Sequence, residues 1–468
     1  MKIPRIAYCS PINPAPTGIS DYSEELLPYL GQYADLTLYL EEGLKPSNPF
    51  LSQSLELRSL NRLPSDQKQR PFDAILYHMG NSPAHAGIWR TAQQVPGVVV
   101  LHDFVLHHFI LWYAANVHHN VQSYVQEMKE RYGEAGNHTA QLMIRGRFTN
   151  SAFDFPCCET VVAAAKALIV HSQYVQRQIS SMRPDIPNAV IPMGVPLSPL
   201  LDRHLAREIL DLPQDALVLA SFGHINAYKR LDPTLRAIAQ LQANWPNLRY
   251  ILVGSVSPNY DAKGLIARMG LEKVVQMTGY VTRPVFESYI AAADICLNLR
   301  HPTAGETSAS LLRLLGAGCP TLVSATGAFT ELPPNVAAQV DLDATESELI
   351  ATYCDVLTKY PSLAKELGKQ ARNYVAQNHN LDQAALGYIR FLAQVYRWDK
   401  ITRFRPEPLW SLEETFLPLP FKQKEVHGKE LCFSPFIPSI AQALVDLGVT
   451  EKDELILQTI AQRLADFQ

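Results

Sequence analysis

Four short stretches of this chain combine residue types suited to binding an anionic, hydroxyl-bearing ligand. The strongest is Leu299-Arg-His-Pro-Thr-Ala-Gly-Glu-Thr-Ser-Ala-Ser-Leu-Leu-Arg-Leu-Leu-Gly-Ala-Gly-Cys-Pro, where an apolar strand-like run gives way to a polar loop and then to a helix expected to open at about Glu306. The first N–H groups of a helix lack intrahelical partners, so those of Glu306, Thr307, Ser308 and Ala309 would form an anion site. Leu311, Leu312 and Leu315 fall on the core side, and Gly316 with Gly318 closes the helix. As architecture this is an ordinary strand–helix–strand unit; the polar loop beside a phosphate-ready helix favours chemistry.

In Leu219-Ala-Ser-Phe-Gly-His-Ile-Asn-Ala-Tyr-Lys-Arg, a strand, a glycine turn and a helix start again follow one another. Cations at a helix start oppose its dipole, and a bound diphosphate would resolve the conflict, with Lys229 as a point charge beside Arg230. A solvated surface pair is the alternative. Near the N-terminus, Pro11-Ile-Asn-Pro-Ala-Pro-Thr-Gly-Ile-Ser-Asp-Tyr sets Gly18 just before the first helix, where backbone N–H groups approach a ligand with no Cβ in the way. A plain turn glycine fits equally, and no G-x-G-x-x-G dinucleotide fingerprint is present.

The fourth stretch and one further polar turn each end a buried strand. His102 and Asp103 follow Val98-Val-Val-Leu, placed to bond ligand hydroxyls or to be satisfied by a neighbouring carbonyl. Tyr77-His-Met-Gly-Asn-Ser-Pro-Ala-His offers His78, Asn81 and His85 as candidates for the pocket of a second substrate, or as a polar turn. Metal readings are weaker. Adjacent histidines on a helix diverge by about 100°, so few of His107, His108, His118 and His119 can share an ion. Cys157 and Cys158 have no Cys-x-x-Cys partner nearby.

These segments need elements to position them. Apolar runs predict strands over 5–10, 34–40, 73–79, 97–101, 167–171 and 188–191, then over 217–222, 249–253, 274–278, 295–299 and 321–324, with helices between. That alternation is the pattern of α/β proteins with doubly wound parallel sheets, whose ligands bind at the carboxyl ends of the strands. Ile191-Pro-Met-Gly-Val-Pro breaks the series, so the chain divides into a first domain over 1–195, with a helical insertion about 102–150, and a second over 196–380. A helix over 381–400 and a Pro-rich strap over 401–468, ending in two short helices at 439–447 and 451–467, complete it.

The 468 residues suffice for two such domains, and with 47% hydrophobic and 18% charged residues the chain reads as an ordinary globular protein. A net charge of −4 offers no basic footprint for nucleic acid and no polybasic signal for a membrane. No apolar stretch approaches a membrane span, and MKIPRIAYCSP is too short an apolar run for a secretory signal. The seven cysteines lie mostly in apolar runs and read as free thiols, which implies a cytoplasmic setting.

Taken together and in order, the segments resemble retaining glycosyltransferases of family four, which have the GT-B fold of two facing Rossmann-like domains with a cleft between them. The likeness covers residues 2–399: the Gly18 loop, His102-Asp103, Ile191-Pro-Met-Gly-Val, Gly223 with Lys229 six residues on, Gly279-Tyr-Val and Gly318-Cys-Pro. It implies transfer of a sugar from a nucleoside diphosphate sugar to an acceptor hydroxyl, with retention and without a metal or other cofactor. Lys229 and Glu306 would stabilise the leaving diphosphate, while His102 would face the transferred sugar. Gly18, His224, Lys229, Arg230, Gly305, Thr307 and Ser308 would surround the diphosphate. Tyr280, Val281 and Arg313 would meet the nucleobase and ribose, and His78, Asn81, His85 and Asp103 a carbohydrate, lipid-linked or small-molecule acceptor. The helix after 380 would return to the first domain, and peripheral membrane contact would remain open.

Two positions depart from the family. Its usual glutamate pair, separated by seven residues, falls here on Gly305, with Glu306 next to it, and on Arg313, so the Gly-Glu-Thr-Ser form resembles a sub-branch. His224 stands where many members have an arginine beside the lysine, leaving Arg230 or Arg300 to substitute. These departures keep a rival in view, a catalytically silent nucleotide-sugar-binding or scaffold protein on the same fold. Asp341-Leu-Asp343 matches the metal-binding Asp-x-Asp of the other large glycosyltransferase fold but lies late in the chain.

Overall fold

The computed structural model describes residues 3–147, 150–197 and 199–412. The helices expected at 439–447 and 451–467 lie outside the described residues. Two parallel sheets form the frame. The first contains β1 (Arg5–Cys9), β2 (Asp35–Leu40), β3 (Glu56–Ser59), β4 (Ala74–Met79), β5 (Val98–Leu101), β6 (Ala167–Val170) and β7 (Asn188–Val190), in the order β3-β2-β1-β4-β5-β6-β7. The second contains β8 (Val218–Phe222), β9 (Arg249–Val253), β10 (Val275–Gly279), β11 (Ile295–Asn298), β12 (Thr321–Ser324) and β13 (Ala338–Val340), in the order β10-β9-β8-β11-β12-β13.

Central strands of a parallel sheet are covered on both faces, which is why β5 reads Val-Val-Val-Leu and is buried throughout. In each sheet the order of connection reverses once, between β1 and β4 and between β8 and β11. At such switch points the loops leaving the two strands part and leave a crevice at their carboxyl ends. The Gly18 loop leaves β1, the Gly80–His85 turn leaves β4, the Lys229 turn leaves β8 and the Arg300–Ser308 loop leaves β11.

The helix Gly18–Leu30 is started by Thr17, whose hydroxyl accepts from the Ile19 N–H at 3.3 Å. The helix Leu381–Tyr396 packs beside it, and the two tyrosine hydroxyls of Tyr22 and Tyr388 lie 3.1 Å apart, buried between helices and sheet. The strap then runs over the first domain: the Phe404 N–H donates to Gln32 O at 3.0 Å, the Leu409 N–H to Pro28 O at 3.1 Å, and Trp410 is buried. The insertion carries helices His107–Asn116 and Val121–Met143, the second broken at Gly133, where φ is 66°. No described helix is long and apolar enough to cross a membrane.

One helix begins later than its sequence suggests. Ser308 has an extended backbone, and its Oγ accepts from the Leu311 N–H at 3.3 Å, so it is the N-cap of the helix Ala309–Gly316. Gly305, Glu306 and Thr307 are loop, and the open N–H groups are those of the first helical turn after Ser308.

Candidate active site

On the second domain, Gly223 leaves β8 with φ of 92°, a left-handed conformation that favours glycine. A Cβ there would stand 3.6 Å from Lys229 Nζ. The Lys229 ammonium folds back to donate to Phe222 O at 2.9 Å. Burial, with the Arg300 charge beside it, pushes this amine down to about 7. Arg230 departs from Lys229 because its own backbone is left-handed, with φ of 54°. Its guanidinium turns to Glu346, donating from Nε at 2.9 Å and from Nη2, so its charge is already matched. His224 is exposed and bonds the Ser255 hydroxyl at 3.0 Å. Of the three basic residues in this turn, only Lys229 is drawn towards the charged groups of the β11 loop.

The loop after β11 is organised by Arg300. Its backbone N–H donates to Ser324 Oγ at 3.0 Å, Nη1 pairs with the Glu306 carboxylate, and Nη2 donates to Ser308 Oγ at 3.1 Å. Thr303 Oγ1 donates to the other Glu306 oxygen at 2.8 Å. Burial works to raise the Glu306 carboxyl, but Arg300 and the Thr303 hydroxyl outweigh it and hold it below the usual range. Gly305 adopts φ of 79°, and a Cβ on it would come within 2.8 Å of Phe104 Cβ. The reason is a domain contact: Ala304 O accepts from the N–H groups of Phe104 and Val105 at 2.7 and 2.9 Å. Thr307 is half-buried on the same loop.

The first domain brings its polar residues to that contact. Asp103 Oδ2 accepts from the Asn81 N–H at 2.7 Å, and the Asp103 carboxyl is pushed up to about 7 by burial and by the negative charge of Glu306. Asn81 Oδ1 accepts from the Phe109 N–H at 2.8 Å, which ties the β4 turn to the insertion. His102 is neither solvent-facing nor satisfied by a carbonyl. Its Nε2 meets His78 Nδ1 at 2.9 Å, with the two rings stacked, while His102 Nδ1 is buried without a partner. His85 Nδ1 donates to His78 O at 2.9 Å, leaving His85 Nε2 as a buried acceptor. Gly18 is exposed at its helix terminus, and a Cβ on it would meet nothing within 4 Å. From the insertion, Phe153 packs on Tyr228 of the second domain, with ring centroids 4.6 Å apart.

Tyr280 and Val281 link β10 to the helix Arg283–Ala292; Tyr280 is 84% exposed, whereas Val281 packs on the second domain's core. Arg313 is not directed at open solvent. Its Nη2 donates to Glu25 Oε1 at 2.7 Å, and the same oxygen accepts from Arg283 Nη1. Neither Glu25 nor Arg283 announces itself in the sequence, because the pairing joins the two domains. A separate cavity of about 630 Å³, lined by Leu200, Leu201, Asp215 and Asp294, lies at the opposite, amino-terminal ends of β8 and β11.

Together these loops present one part-buried amine, one guanidinium matched to a carboxylate, and helix termini following β1 and β11. Such an array stabilises negative charge that develops on a departing phosphate. Asp343 of the Asp-x-Asp segment has its carboxylate engaged by the Thr345 N–H and hydroxyl, at 2.8 and 2.7 Å.

Residues 202–374 match the family model described as glycosyl transferases group 1. A D-inositol 3-phosphate glycosyltransferase of Streptomyces avermitilis is 30% identical over 245 residues, covering 48% of this chain and 51% of that protein. One from a Nocardioides species is 37% identical over 111 residues, 23% of this chain and 24% of the relative. The chain thus aligns with about half, or less, of the length of these curated relatives. Among solved structures, sucrose-phosphate synthase from Thermosynechococcus elongatus superposes with a TM-score of 0.59 at 17% identity, covering 84% of this chain and all but 1% of its own. Anabaena HepE in complex with UDP and glucose superposes with a TM-score of 0.59 at 16% identity, over 84% of this chain and 100% of the other. The frame is the GT-B fold, and the match to the glycosyl transferases group 1 model lies within its second domain.

Proposed function

We propose that the protein transfers a glycosyl group from a nucleoside diphosphate sugar to an acceptor hydroxyl, with retention at the anomeric carbon and without a metal. The observation that carries this reading is the convergence of Lys229, Arg300 and Glu306 at the switch point of the second sheet. The carbon–oxygen bond between sugar and diphosphate breaks as the acceptor oxygen bonds the anomeric carbon. Lys229, Arg300 and the first N–H groups after Ser308 take up the charge on the departing diphosphate. The acceptor's proton passes to that diphosphate on the same face, which gives retention.

His102 and Asp103 line the acceptor side. Buried imidazole nitrogens that lack partners suit hydroxyl donors, and polyol acceptors supply them. The names of the curated relatives make D-inositol 3-phosphate the first acceptor to try. Binding without turnover is favoured by one observation, that Arg230 is held by Glu346 while His224 bonds the Ser255 hydroxyl, which thins the cations around the diphosphate.

The deciding experiment is calorimetric titration against UDP-, GDP- and ADP-sugars, with the native protein and Lys229→Ala. One nucleotide class should bind, and the variant should lose affinity. Equal affinity in the variant would contradict the phosphate assignment.

A further inference from the structure

A buried charge cluster joins the two domains some distance behind the loops just described. Glu25, in the helix Gly18–Leu30, has its side chain 1% exposed, and its Oε1 accepts from both Arg283 Nη1 and Arg313 Nη2. Arg283 opens the helix Arg283–Ala292, and Arg313 lies on Ala309–Gly316, so one carboxylate gathers three helices. Burial works to raise the Glu25 carboxyl, and the two guanidiniums outweigh it and keep it ionised. A buried charge of this kind is strongly destabilising once a partner is removed, so the three side chains prefer to remain together. A second carboxylate crosses the other way: Glu331 of the second domain accepts from the N–H groups of Gln173 and Tyr174 at the start of the helix Gln173–Met182.

The place of the clamp along each helix matters. At 1.5 Å per residue, Glu25 lies about 10 Å along its helix from Gly18, and Arg313 about 7 Å along from Ser308. Both helices follow central strands of their sheets, β1 and β11, and both begin at the crevice. Fixing them to one another at these offsets fixes where their N-termini meet.

We propose that Glu25 is a positioning residue of the donor site. Its carboxylate, held by Arg283 and Arg313, keeps the first domain closed on the second, so that the Gly18 helix terminus reaches a diphosphate bound by Lys229. The role rests on the nucleotide-sugar reading above.

The test compares the native protein with Glu25→Gln and with the reciprocal pair Glu25→Arg plus Arg283→Glu, which again puts one carboxylate beside two guanidiniums. Radius of gyration from small-angle scattering, without nucleotide, and UDP affinity by calorimetry are measured on each. Glu25→Gln should be more expanded and bind UDP on the order of tenfold more weakly. The reciprocal pair should return both quantities to within about threefold of native affinity and to the native radius. Should Glu25→Gln fail to fold, Arg283→Lys reads the same two quantities and should show the same expansion and weakening. Native radius and affinity in the single variant would overturn the proposal, as would a folded reciprocal pair no better than the single variant. If the native protein binds no UDP, the nucleotide reading fails for UDP, while the scattering still decides whether Glu25 closes the domains.

Discussion

Arg300 is ion-paired to Glu306 across the loop that leaves β11, and the same guanidinium donates to Ser308, the cap of the following helix. One side chain therefore shapes the loop, neutralises its carboxylate and sets the start of the helix. Arg300→Ala leaves the part-buried Glu306 carboxylate without its cation, and about 3 kcal/mol of stability should be lost. Urea denaturation measures it. Glu306→Gln removes the opposing charge and should cost less.

On the proposed reading, Lys229 gives donor binding a pH dependence. Its amine titrates at about 7, because burial and Arg300 disfavour the charged form, and a bound diphosphate favours it. Affinity for UDP-glucose, whose diphosphate charge is fixed in this range, should fall as pH rises through about 7, approaching tenfold per unit. Calorimetry at several pH values should show the fall, and Lys229→Arg, always charged, should flatten it. A flat native profile would detach Lys229 from the phosphate.

The frame of the fold was legible where strands are buried on both faces. β9 and β12 have the limits that their apolar runs set. The edge strands β3 and β13, Glu-Leu-Arg-Ser and Ala-Gln-Val, were missed because neither carries an apolar run. The helix after β11 was placed three residues early: Gly-Glu-Thr-Ser offers several capping residues, and only the backbone distinguishes Ser308. Lys229 and Arg230 look equivalent in sequence, yet a left-handed φ sends one to the crevice and the other to Glu346. Glu25 lies 258 residues from Arg283 and 288 from Arg313, a separation over which no local pattern reports pairing.

The histidines of the first domain predict sensitivity to acid. His85 and His171 are held down at about 4 by burial, and both His78 and His102 lie well below their usual value for the same reason. A histidine depressed in the folded state takes up its proton more readily when unfolded, so its stabilising contribution is lost as pH falls from about 6.5 to 4. The loss should reach on the order of 3 kcal/mol for each of His85 and His171 below pH 4. Denaturation midpoints across this range should fall, and His171→Asn should make the slope shallower.

Gly305→Ala tests the domain contact. The left-handed backbone alone costs an alanine about 1–2 kcal/mol, and its Cβ would press on Phe104 at 2.8 Å. A lower melting temperature should accompany weaker donor binding, because Phe104 and Ala304 would be pushed apart. Gly18→Ala, with nothing within 4 Å of its Cβ, should leave the melting temperature close to native.

The central claim is that Lys229 and Arg300 stabilise a departing nucleoside diphosphate. The direct measurement is nucleotide release from a panel of UDP-, GDP- and ADP-sugars in excess chelator, with D-inositol 3-phosphate and simple sugars as acceptors. One donor should be turned over by the native protein, and Lys229→Ala and Arg300→Ala should each lose on the order of a hundredfold or more in rate while remaining folded. No release from any donor, or release unchanged in both variants, would contradict the account.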